Sequence, residues 1–166
     1  MKALIGGLIV SFAIAGSAWA QGPPGAEARL KEGNITLPSP ATPVANYVPA
    51  VRVGNLLFVS GHGPGPSSTL RGKVGKDLSL EQGYQAARDV GLNLLATTRA
   101  ALGSLDKVTR VVKVLGMVNS AQGFVDQPKV INGFSDLMVD VFGEAIGKHA
   151  RSAEPVNKNE TAGSWD

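Results

Sequence analysis

Apolar positions along this chain change their period several times, and each change marks an element. Two short runs rich in β-formers, Tyr47–Val53 and Leu56–Ser60, are separated by Gly54-Asn55. Gly reaches the positive φ that a tight primed turn demands, so the pair predicts a β-hairpin. Pro49 has no N–H to give to a ladder and places the beginning of the first run at an edge. Gly61-His62-Gly63-Pro64-Gly65-Pro66 ends the second run abruptly, and a loop is expected up to Lys76.

From Ser79 the period becomes helical. Ser79-Leu80-Glu81-Gln82 has capping-box spacing, with the Ser side chain accepting from the backbone three residues on and Gln82 reaching back. Tyr84, Ala87, Gly91, Leu94, Leu95, Thr98, Ala101 and Leu102 then form one face of a helix of about six turns. Gly91 weakens that helix, and close packing against a sheet is the expected compensation. Gly103 stands where a C-terminal cap belongs.

Val108–Val118 is a nearly continuous apolar run, rich in β-branched residues, and predicts a central strand. Asp126 is expected to cap a second helix with Pro128 in its first turn. Val130, Phe134, Leu137, Met138, Val141 and Phe142 form its buried stripe, and Gly143 ends it. His149–Ala153 reads as the entry into another strand. Hairpin, helix, strand, helix, strand predicts a two-layer α+β domain, a mixed sheet with two helices on one face. The other face must meet solvent or another subunit.

The ends of the chain change this picture. Residues 1–20 carry a positive Lys2, an apolar stretch over Ala3–Gly16 and Ala18-Trp19-Ala20, the small-residue pattern of a cleavage site. That is the layout of a secretory signal peptide, and the stretch is too short and too rich in Gly, Ala and Ser for a spanning helix. Cleavage before Gln21 and a periplasmic or secreted product, with no membrane contact after cleavage, are expected. Residues 21–42, with QGPPG and LPSP, read as a Pro/Gly-rich linker or an N-terminal arm ordered by contact. The domain itself is expected over 43–153.

Composition mainly excludes. The chain has no Cys, so disulfides, thiolate metal sites and thiol nucleophiles are ruled out. Its two histidines, His62 and His149, need carboxylate help to hold zinc, and no metal site is expected. The net charge of +3 is spread without a basic run or stripe, which argues against nucleic acid as a partner. Phosphate-loop, HExxH and Gly-x-Ser-x-Gly patterns are absent from the sequence. Ser60-Gly61-His62-Gly63-Pro64 lacks the Lys of a phosphate loop and follows a hairpin instead of opening a helix.

A set of ordered fragments does carry a signal. Tyr47-Val48, Val53-Gly54-Asn55-Leu56-Leu57-Phe58-Val59-Ser60-Gly61, Gly103-Ser104-Leu105-Asp106-Lys107-Val108, Asn132 and Ala150-Arg151-Ser152 occur in order at compatible spacing. Together they resemble the RidA family, also called YjgF or L-PSP endoribonuclease proteins, over roughly residues 43–153. The resemblance implies a chorismate-mutase-like α+β fold, a homotrimer with ligand clefts between subunits, and no metal or organic cofactor. It also implies hydrolysis of reactive 2-imino and 2-enamino acids to 2-keto acids and ammonia.

Residue by residue, Arg151 matches the family's carboxylate-binding arginine. A guanidinium fork donates two parallel bonds to a carboxylate, a geometry Lys cannot reproduce. Gly61 matches a strand-end glycine whose backbone lies against the ligand. Tyr47 matches an aromatic cleft residue, and Asn132 a helical Asn lining the cleft. Each has a plainer reading: an ion pair for Arg151, a turn for Gly61, core or interface for Tyr47, a local hydrogen bond for Asn132. His62 stands where relatives commonly carry Gln; it could polarise a water, but a loop hydrogen bond is the favoured reading. Strand alternation sends His149 to the face opposite Arg151, which removes it as a direct partner.

The resemblance breaks at the end. Relatives continue with a strand pair whose last strand carries a Glu that positions the hydrolytic water. Residues 154–166, Glu-Pro-Val-Asn-Lys-Asn-Glu-Thr-Ala-Gly-Ser-Trp-Asp, have no apolar alternation and read as a divergent polar tail. Neither Glu154 nor Glu160 can be carried over as that Glu, so no catalytic residue is assigned. The expectation is a truncated or frame-shifted terminus lacking the final strands, with a genuine divergent tail as the alternative. Three functions follow: an imine deaminase, a trimer that binds small carboxylates without turnover, and, least favoured, an endoribonuclease. No His pair or basic-aromatic surface supports the last.

Overall fold

The computed structural model describes residues 23–65 and 68–156; the expected signal peptide and all but the first three residues of the expected tail lie outside them. Residues 21–42 are not simply a linker. They contain helix α1, Ala26–Glu32, which buries Ala26 and Leu30 in the main core. Its helix formers sit between Gly25 and Gly33, and Glu27 anchors it by accepting from Arg99 and from the backbone of Leu105.

The hairpin is present as β1, Ala50–Val53, and β2, Leu56–Val59, paired antiparallel from Ala50 opposite Val59 to Val53 opposite Leu56. Gly54 turns it with φ +57°. Ser60 N donates to Pro49 O at 2.9 Å, carrying the backbone pairing one step past the strands.

Helix α2, Leu80–Leu102, has the expected bounds. Ser79 and Gln82 form the reciprocal capping box, and Gly103 caps the other end with φ +81°. Gly91 does compensate its helix penalty by close packing, but not against a sheet. A Cβ there would lie 2.7 Å from Leu137 Cδ2 and 3.2 Å from Phe134 Cδ2, both on helix α3, Gln127–Phe142. Gly133 of α3 meets α2 in the same way, pressed on the Tyr84 carbonyl. Small residues at the crossing let the two helices lie backbone to backbone.

All six residues of the expected α3 stripe are buried, with Gln127, Ile131 and Gly133 added. Asp126 precedes the helix but its carboxylate does not cap it; it pairs with Lys129 Nζ at 3.0 Å. A short helix α4, Glu144–Gly147, follows directly.

The run Val108–Val118 is strand only in its second half, β3, Lys113–Val118. A 3-10 turn over Leu105–Lys107 precedes it and buries Leu105 completely. β4, Ala150–Pro155, pairs parallel with β3, from Lys113 opposite Ala150 to Val118 opposite Pro155. The strand therefore reaches two residues into the segment expected to be polar tail. The last described residue is Val156, so the expected absence of further strands falls outside the described residues.

The α+β class and the two-layer arrangement hold, but the strands among the described residues form two separate pairs, not one mixed sheet. The hairpin packs on α2 and the β3–β4 pair packs on α3. Val114, Gly116 and Val118 turn toward α3, where Gly116 lies so close to Ile131 that a Cβ would sit 2.6 Å from its Cγ1. The outward positions stay apolar too: Leu56 and Phe58 on β2, and Leu115 and Met117 on β3, all more than half exposed.

Candidate functional site

β4 begins where α4 releases the chain, and its parallel register sets Arg151 opposite Val114, on the flank of α3. Asn132 and Ser135 lie three apart on that helix and therefore on one face. Arg151 Nη1 donates to Asn132 Oδ1 at 2.9 Å and to Ser135 Oγ at 3.0 Å. Both Nη1 hydrogens are thus used to aim the guanidinium. Its Nε and Nη2 have no acceptor among the described residues, and Arg151 has no carboxylate partner among them. The open Nε/Nη2 edge is the one that takes a carboxylate through two parallel bonds. The plainer reading of Arg151 as an ion-pair residue finds no partner among these residues, whereas that of Asn132 as a local hydrogen-bonding residue describes part of what it does.

His149 lies one residue before β4 begins, outside the alternation of that strand. Its Nε2 is 3.2 Å from Ser135 Oγ and its Nδ1 2.7 Å from the Gly147 carbonyl oxygen. It does not touch Arg151 directly; the two share Ser135. The Phe134 ring stands edge-on to the imidazole, centroids 6.1 Å apart at 81°. Ser135 is the residue that sequence reasoning missed. Its signal was helical: it falls one turn beyond Asn132, on the same side.

The other two expected residues sit elsewhere. Tyr47 precedes β1 in a bend and is 47% exposed. Gly61 directly follows β2, and a Cβ there would meet nothing within 4 Å. No contact joins the hairpin strands to β4. One chain therefore brings Arg151, Asn132, Ser135 and His149 together, and leaves Tyr47 and Gly61 outside the group. Two surface hollows of about 520 and 440 Å³ lie along α2, one by Leu37, Asp89 and Asn93, the other by Arg29, Arg88 and Asp140. Neither contains an expected site residue.

His62 takes the loop role. Its Nδ1 is 2.7 Å from Ser60 O and its Nε2 2.8 Å from the hydroxyl of buried Thr97, so both ring nitrogens are engaged in pinning the loop to α2. Asn93 reinforces this by donating to Gly63 O at 3.2 Å.

The family described as YjgF/chorismate mutase-like, putative endoribonuclease, matches residues 27–159. The chain belongs to the YjgF/RidA family. The match opens inside α1 and so takes in this helix. Protein TCP17 of Trypanosoma cruzi is 44% identical over 128 residues, 76% of this chain and 80% of that protein. A crystal structure of an Agrobacterium tumefaciens protein of unknown function shares 45% identity at a TM-score of 0.71, covering 79% of this chain and 82% of that one. A putative endoribonuclease from Shewanella oneidensis shares 33% identity at a TM-score of 0.75, covering 80% and 89%. The chorismate-mutase-like fold is thus the fold of this YjgF/RidA chain.

Proposed function

We propose that this chain hydrolyses reactive 2-imino and 2-enamino acids to 2-keto acids and ammonia, with Arg151 gripping the substrate carboxylate. One observation carries the reading: the guanidinium is aimed by Asn132 and Ser135 while its Nε/Nη2 edge is left open. Such an edge is prepared for a bidentate anion and needs no rearrangement to accept one. Freshly generated 2-iminobutanoate should yield 2-ketobutyrate faster with the protein than without it, and Arg151→Ala should abolish the gain. No acceleration by the unaltered protein overturns the reading.

A homotrimer belongs to the same proposal. The exposed Leu56, Phe58, Leu115 and Met117 line sheet faces that water solvates poorly, and a neighbouring copy would cover them. Such a copy could also bring its own Tyr47 and Gly61 toward Arg151. Sedimentation at trimer mass is expected, and a monomer at micromolar concentration would count against it. Export by residues 1–20 is the companion proposal, checked by an intact mass beginning at Gln21.

A second reading, a trimer that binds small carboxylates without turnover, is favoured by a separate fact. Among the described residues no Asp or Glu bonds to Arg151, Asn132 or Ser135. Binding of 2-ketobutyrate that Arg151→Ala removes, without imine hydrolysis, would select it.

A further inference from the structure

Ser135 and His149 lie beside the carboxylate grip and do more than hold it, since Asn132 already bonds the same Nη1. We infer that they form a proton relay which accepts a proton from the water attacking the substrate. This rests on the imine-hydrolysis reading of the Arg151 site and supplies the base that reading lacks.

The hydrogen positions follow from the partners. Gly147 O can only accept, so the neutral imidazole places its hydrogen on Nδ1 and presents a lone pair at Nε2. Ser135 must then donate its single hydrogen to Nε2. Arg151 donates into one of the two Oγ lone pairs, which leaves the other free for the hydrogen of a water. The hydroxyl is polarised from both sides: a base withdraws its proton while a cation steadies the charge that develops on oxygen. The geometry is stiff. Gly147 is buried with no room for a Cβ beside the Met138 backbone carbonyl, its own carbonyl holds His149 Nδ1, and the Phe134 ring stands edge-on to the imidazole.

The step balances. Water oxygen forms a bond to the carbon of the protonated imine, and the C=N π pair moves onto nitrogen. The water gives one proton to Ser135 Oγ as the Ser135 proton passes to His149 Nε2. The product is a neutral carbinolamine beside a protonated His149. In the second half the proton returns through Ser135 to the amine, the C–N bond breaks as the hydroxyl oxygen forms C=O, and the hydroxyl proton passes to the departing ammonia, which leaves as ammonium. Nothing is oxidised or reduced.

The test measures imine hydrolysis and 2-ketobutyrate binding on the full chain and four variants. His149→Gln and Ser135→Ala should each lower kcat about 100-fold, the scale of a positioned proton acceptor, with KM and 2-ketobutyrate affinity within about twofold because Arg151 and Asn132 remain. The double variant should be no slower than the slower single, since both remove one relay. Ser135→Thr, which keeps a hydroxyl, should recover most of the rate. Retained binding also certifies that each variant is folded. Singles within about twofold of the unaltered kcat, losses confined to KM and binding, or multiplicative effects overturn the relay while leaving the imine reading intact. An unaltered protein that binds 2-ketobutyrate but never hydrolyses the imine overturns both.

Discussion

Glu27 in α1 accepts from Arg99 near the end of α2 at two points, with N···O distances of 3.1 and 2.6 Å. The same carboxylate receives the backbone N–H of Leu105 at 3.0 Å, and Asp106 in turn accepts from Glu27 N at 3.1 Å. Two acidic residues therefore lace α1 to the turn after α2. The ion pair is a third to two-fifths exposed and screened accordingly. Most of its worth lies in satisfying Leu105 N. Glu27→Ala should destabilise by about 1–2 kcal/mol, read as a lower urea midpoint at unchanged m-value.

The helix crossing sets a sharper expectation. A Cβ on Gly133 would run into the Tyr84 carbonyl, and backbone cannot step aside as a flexible side chain can. Gly133→Ala should cost about 3 kcal/mol, the upper range for overpacking. Gly61→Ala meets open space and should stay within about 0.5 kcal/mol. Thermal unfolding of the pair checks both, and any catalytic loss in Gly61→Ala then reports on the site and not on folding.

Tyr84 donates its hydroxyl to Asp136 at 2.9 Å across the same crossing. That bond, then burial and the Asp136 charge, raise the phenol above its ordinary value of 10.0. A raised folded value means the folded state holds its proton longer than the unfolded chain. The contribution is complete below the unfolded value and is lost as pH climbs through the folded one. Melting temperature should fall on the alkaline side, and Tyr84→Phe should flatten that fall while losing stability near neutrality.

Arg151→Lys keeps the charge and discards the fork. A point ammonium cannot serve two carboxylate oxygens and Asn132 together. The Kd for 2-ketobutyrate, measured calorimetrically, should rise roughly tenfold to a hundredfold. Asn132→Ala should weaken it less, because Ser135 still holds Nη1.

Much of this was legible where local chemistry is strong. The Ser79/Gln82 box and Gly103 bracket α2 to the residue, and the Gly54 turn fixes the hairpin. Periodicity named the buried stripe of α3 but not what covers α2: Gly91 faces Leu137 and Phe134, not a sheet. The run from Val108 reads as strand because Val108 and Val111 are half-buried and pack against the core, although neither joins the ladder. Helix α1 is only two turns long with two buried apolar residues, Ala26 and Leu30, and the surrounding Pro and Gly masked it. At the site, Arg151 and Asn132 could be matched to a known pattern. His149 could not be placed by alternation, since β4 starts one residue later and the preceding turn redirects the ring.

The parallel pairing of β3 and β4 has a consequence for the order of events as the chain folds. An antiparallel hairpin closes on its own, but these strands are joined through the whole of α3 and α4. Loop-closure entropy delays such non-local pairing until the intervening helix has formed and docked. The guanidinium rides on the strand that arrives late, and the residues that aim it wait on α3. Amides of β4 should accordingly gain protection after those of α2 in pulse-labelled hydrogen exchange. The newborn chain acquires its helical core first and the Arg151–Asn132–Ser135 cluster near the end.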